Sequence, residues 1–218
     1  MKTAYFTEET IDARAEAMLA QVRDRVRVRD IRFEPRESAL LILDVQRYFS
    51  DPDSHAFIPS LPPVIPRIEE LEAAYTAAGL PVILTQHVNT DDDAGLLLTW
   101  WKDLIRAGTA YGEIVPELVS ADSVVLEKTQ YDAFHGTDLE RMLRERGVAQ
   151  VVVAGVMTHL CCETTARSAF VSGFKVFLPV DATATYNEEF HFGSLLNLAH
   201  GFAVPVLTRD LLSSLEVS

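Results

Sequence analysis

Short, continuously apolar runs punctuate the chain: SALLILDV (38–45), PVILTQ (81–86), SVVLEK (123–128), QVVVAGV (150–156), KVFLPVDA (175–182) and VPVLT (204–208). They are rich in β-branched residues and do not alternate apolar with polar positions. Continuous apolarity over so few residues predicts strands buried on both faces, as in a parallel sheet. Between them lie segments with helical spacing, 64–79, 136–147, 162–174 and 188–202. These end at or near Gly79, Gly147, Gly173 and Gly201, a helix-stop signal. The alternation predicts an α/β fold, an open six-stranded parallel sheet with helices on both faces. Ahead of it, 7–30 reads as a helix capped at Thr7, with Ile11, Ala15, Met18, Leu19 and Val22 at helical spacing. The expected organisation is a single domain over 1–218 with an N-terminal helical extension, 1–37. That extension would pack on the outside or on a neighbouring subunit. Residues 51–66 carry five prolines and read as a loop, and 88–112, with two adjacent tryptophans, takes no clear pattern.

Composition narrows the partners. The 218 residues carry a formal net charge of -13, a surface that repels phosphate backbones, so nucleic acid is not expected. No apolar run approaches the ~20 residues of a membrane helix, and the N-terminus has no signal-peptide pattern. The two cysteines, Cys161 and Cys162, are adjacent, which ill suits an ordinary disulfide and fits a reducing, cytoplasmic setting.

Ligands in open α/β sheets bind outside the carboxyl ends of the strands. Those ends carry Asp44 and Gln46, then Gln86 and His87, then Lys128, then Thr158, His159 and Cys161, then Asp181. A carboxylate, an ammonium and a thiol make a chemical set. A helix N-terminus and a nearby lysine would lower the thiol pKa. A carboxylate would accept the thiol proton and return it to a leaving group. Backbone N–H groups at the same corner would hold an oxyanion. Against this, a free cysteine often only fills space, and an Asp after a strand often only caps a turn.

Three segments occur together in order: ALLILDVQRYF (39–49), VLEKTQYDAFHGTDLERML (125–143) and VVVAGVMTHLCCETTARSAF (151–170), continuing into GFKVFLPVDATAT (173–185). In these the chain resembles the isochorismatase-like (cysteine hydrolase) superfamily over about residues 33–212. The resemblance implies a catalytic Asp44, Lys128 and nucleophilic Cys161, with Cys162 packed beside it. It also implies a cis Val156–Met157 peptide, with the Met157 and Cys161 amides forming an oxyanion hole. Amide-cleaving members use the cysteine, whereas isochorismatases proper hydrolyse a vinyl ether with the Asp as acid. Nicotinamidases of the superfamily bind a metal through an Asp-x-His after the second strand. Here that stretch is His87-Val88-Asn89, without the carboxylate, so no metal or other cofactor is expected.

The expected activity is therefore cysteine-dependent hydrolysis of a C–N bond, amide or ureide, in a small molecule. Isochorismate hydrolysis is the alternative, and a non-catalytic binding domain on the same fold is a third. Gln46, Phe49, His87, Trp100, Tyr131 and Phe134 are the candidate substrate contacts, aromatic walls with a few polar groups. Trp100 or Trp101 could instead meet another subunit, and the family resemblance implies a homo-oligomer. Loops 51–66 and 88–112 are expected to decide the substrate.

Overall fold

The structure, a computed structural model, describes residues 1–120 and 123–216. The domain expected over 1–218 thus includes positions 121–122 and 217–218, which lie outside the described residues. The strands are β1 (Ser38–Leu43), β2 (Val82–His87), β3 (Val124–Lys128), β4 (Gln150–Val156), β5 (Lys175–Pro179), β6 (Thr183–Ala184) and β7 (Ala203–Val206). They form one sheet in the order β3-β2-β1-β4-β5-β7, with β6 paired to β4. Every strand pairing in it is parallel.

The helices are α1 (Ile11–Arg25), α2 (Arg47–Ser50), α3 (Ile65–Ala77), α4 (Leu97–Trp100), α5 (Leu139–Glu145), α6 (Glu163–Val171), α7 (Glu188–Gly201) and α8 (Thr208–Glu216). The β1-to-β2 crossover runs one way along the sheet and the β4-to-β5 and β5-to-β7 crossovers the other. Right-handed connections then put α3 on one face and α6 and α7 on the other. α8 packs on α3, and α1 packs on α7 of its own chain.

Several sequence expectations change in detail. The run 175–182 is not one strand. Pro179, with no N–H to donate, closes β5, a 3-10 turn covers Val180–Ala182, and the chain re-enters the sheet as β6. β3 is half exposed rather than buried on both faces, because it is the edge strand. The first helix starts at Ile11, not Thr7, whose hydroxyl bonds Thr10 Oγ1 at 2.9 Å instead of capping. α7 ends at Gly201, as expected. Thr208 ends no strand. It opens α8, where Asp181 accepts from its N–H (2.8 Å) and its hydroxyl (2.9 Å). Leu211 and Leu215, four apart, bury one face of that helix.

Candidate active site

Strand order reverses between β1 and β4, which opens a crevice at their carboxyl ends. Asp44 follows β1, and Met157 to Cys161 follow β4. The two strands approach so closely that a Cβ at Gly155 (φ 106°) would lie 2.2 Å from the Leu43 carbonyl oxygen. No residue with a side chain fits there. Asp44 itself takes a left-handed backbone (φ 52°), uncommon for any residue but glycine and best tolerated by Asn and Asp. The Val156–Met157 peptide is cis. Beyond it Thr158–Cys162 form a π turn, a form frequent at functional sites, so α6 begins only at Glu163.

Lys128 ends β3, in register with His87 of β2, and reaches across to β1. Its Nζ lies 2.7 Å from Asp44 Oδ2, 2.8 Å from the Gln130 carbonyl, 3.3 Å from the Tyr131 carbonyl, 3.4 Å from His87 Nδ1 and 3.7 Å from Cys161 Sγ. Neither Lys128 nor Asp44 exposes any side-chain surface. Asp44 Oδ1 accepts from the Thr85 hydroxyl at 2.6 Å. Asp44 Oδ2 faces the Lys128 ammonium in a fully buried ion pair.

The thiol departs from the sequence expectation of a lowered pKa. Burial pushes Cys161 up, and the Asp44 carboxylate adds to this, while Lys128 and the Met157 backbone N–H oppose without cancelling. Burial also works against the charge on Lys128, but Asp44 and then Cys161 outweigh it and hold the ammonium above its ordinary range. Burial and the Asp44 carboxylate thus favour the neutral thiol beside the Asp44–Lys128 ion pair.

Cys161 opens on a cleft of about 550 Å³, including its open mouth. Phe49, His87, Tyr131 and Met157 line it. Three expected contacts do not. Gln46 is fully buried, and its amide is spent on backbone, donating to the His87 and Gly112 carbonyls (3.0 and 2.9 Å) and accepting from His87 N–H (2.9 Å). Trp100 is 76% exposed, and its neighbour Trp101 takes the wall, donating to Tyr131 Oη at 2.6 Å. Phe134 packs instead on Phe174, ring centres 6.0 Å apart. Tyr48, His55, Asp103 and Tyr186 also line the cleft and carried no periodic signal. The Tyr48 hydroxyl donates to Asp103, and His55 Nδ1 lies 3.4 Å from the same carboxylate.

Asp44, His87 and Cys161 could each offer a metal ligand, their donor atoms lying within 4.8 Å of one another. They do not fit a cation. The Lys128 ammonium already stands among them, and His87 Nε2 is engaged with Asn89 Oδ1 at 2.8 Å.

A carboxylate, an ammonium and a thiol are thus gathered at the switch point of a parallel sheet. Residues 38–210 match the family model of the isochorismatase domain. The chain belongs to the isochorismatase family, and it is a hydrolase. It is 42% identical to nicotinamidase 3 of Arabidopsis thaliana over 186 residues, 81% of this chain and 90% of that protein. It is 35% identical to enterobactin synthase component B of Escherichia coli, over 84% of this chain and 65% of that protein. Among solved structures it resembles a cysteine hydrolase from Pseudomonas syringae pv. phaseolicola with a TM-score of 0.83 and 26% identity, covering 87% of this chain and 97% of that one.

Proposed function

We propose that this hydrolase cleaves the C–N bond of a small, uncharged or cationic carboxamide or ureide through a thioester on Cys161. The observation that carries the reading is the buried cluster itself, a thiol on the cleft wall 3.7 Å from Lys128 Nζ, whose ammonium pairs with Asp44 Oδ2 at 2.7 Å. Asp44 takes the thiol proton as sulfur adds to the carbonyl carbon. The carbonyl electrons pass to oxygen, held by the Met157 and Cys161 amides. Collapse re-forms the carbonyl and breaks the C–N bond, and Asp44 returns its proton to the departing nitrogen. Water then yields a proton to Asp44 and adds to the thioester. The acid leaves as Cys161 recovers its proton. The sum is amide plus water to acid plus amine.

The charge of the cleft supports an amide over isochorismate. None of its lining residues is Lys or Arg, and Asp44 and Asp103 are acidic. Lys128, behind the wall, is already paired. Isochorismate brings two carboxylates and a carboxamide none. The 42% identity to a protein named nicotinamidase 3 supports the same reading. The test is ammonia release from nicotinamide and related carboxamides and ureides, beside isochorismate hydrolysis, with a mass-spectrometric trap for the acylated cysteine. Cys161→Ala should lose on the order of 10⁴-fold or more in turnover of the amide. Wild-type rates in Cys161→Ala, with isochorismate as the one substrate turned over, would overturn the thioester.

A further inference from the structure

We propose that Asn89 is a positioning residue that fixes His87 as its Nε2–H tautomer, so that a lone pair on Nδ1 faces and holds the Lys128 ammonium. Asn89 is buried (3% exposed) just beyond β2. Its Nδ2 lies 2.9 Å from Asp93 Oδ1 and 3.0 Å from the Thr129 carbonyl. Both partners can only accept, so the orientation of the amide is determined by its surroundings. The Asn89 carbonyl oxygen therefore faces His87 Nε2 at 2.8 Å, and that nitrogen must carry the hydrogen. A neutral imidazole has one N–H, which leaves Nδ1 as an acceptor 3.4 Å from Lys128 Nζ. Asp93 is fixed in turn by the Thr90 N–H (2.9 Å) and hydroxyl (2.7 Å). A chain of oriented groups thus runs from an exposed carboxylate to the buried ammonium.

Among the described residues, four titratable groups bear on His87. Asp44 faces it from β1, Lys128 from β3 and Cys161 from the turn after β4, and Asp93 acts through Asn89. Burial first, then Lys128, keep the ring neutral, against Asp44, Asn89 and the Gln130 carbonyl. An imidazolium would turn an N–H toward the ammonium and push Lys128 away from Asp44. Activity should then fall as pH drops through the titration of His87.

The link to catalysis rests on the reading of Asp44, Lys128 and Cys161 given above, but the tautomer does not. Long-range 1H–15N NMR of the imidazole rings in the wild-type protein should show His87 with Nε2 protonated and Nδ1 bare at neutral pH. Asn89→Asp adds a carboxylate that favours the imidazolium. Its His87 should titrate at higher pH, and the acid limb of kcat/KM for nicotinamide should move with it. That makes the variant about tenfold slower than wild type at one pH on that limb. An Nδ1–H tautomer in the wild type, or an unmoved His87 titration in Asn89→Asp, overturns the assignment of Asn89. A shifted titration with an unmoved acid limb overturns the coupling to Lys128. If nicotinamide is not turned over at all, the NMR result still decides the tautomer.

Discussion

A buried carboxylate placed between an ammonium and a thiol stabilises the first and opposes ionisation of the second. Asp44 does both: it holds the Lys128 charge and, after burial, is the main cause that raises the thiol. Asp44→Asn keeps the shape and removes the charge. Turnover should fall by about 10²–10⁴ with the loss of the proton acceptor. The thiol pKa should move down, since Lys128 then acts on it without the opposing carboxylate. Thiolate absorbance and the rate of Cys161 alkylation by iodoacetamide should both rise in the variant. A thiol as inert as in wild type would mean that burial alone sets its pKa. Asp44, Lys128 and Cys161 could be singled out because each stands at or just beyond the end of an apolar run that reads as a strand. Asn89 and Asp103 were not, because their roles depend on partners several residues or a whole strand away.

Among the elements, the N-terminal segment ahead of α1 does what no helical pattern announced. The Tyr5 and Phe6 N–H groups both donate to Ser60 Oγ, at 2.8 and 3.1 Å. Thr3 N–H donates to the Tyr186 carbonyl at 2.8 Å, and Thr185 N–H to Tyr5 Oη at 2.9 Å. The segment therefore ties the loop that carries His55 to the turn that carries Tyr186, and both residues line the cleft. Ser60→Ala leaves two buried donors unmet, each costing about 1–3 kcal/mol. Urea unfolding should show that loss, and KM should rise more than kcat falls. Unchanged stability would mean the strap is held by its other contacts. The expectation that the N-terminal helix caps at Thr7 failed. Thr7 instead closes a turn onto Thr10, its N–H on Thr10 Oγ1 at 3.2 Å and its carbonyl accepting from the Thr10 and Ile11 N–H groups at 3.1 and 2.9 Å.

Over the whole molecule, folding buries a histidine that cannot take up a proton at ordinary pH. His191 lies fully buried beside the rings of Tyr5 and Phe6, its Nδ1 3.0 Å from Thr158 Oγ1. Burial lowers its pKa from 6.5 to about 3. The unfolded chain binds this proton as pH falls through about 6.5, and the folded chain does not until about 3. The stability contributed at neutral pH should therefore drain away across that window. His191→Gln should flatten the decline in Tm between those limits, and an identical slope would place the acid sensitivity elsewhere.

Apolar periodicity by itself determined every strand but the short β6, most of the helices and hence the parallel sheet, because burial on both faces leaves a continuous apolar run. The order of the chain also determined which polar residues stand at strand ends. Tertiary structure decided the rest. It set the edge position of β3, the break at Pro179, the burial of Cys161 beside Asp44 and Lys128 and the choice of Trp101 over Trp100 at the cleft. Each of these depends on distances between residues far apart in sequence. Burial and Coulomb interactions act through those distances, and one-dimensional spacing does not contain them.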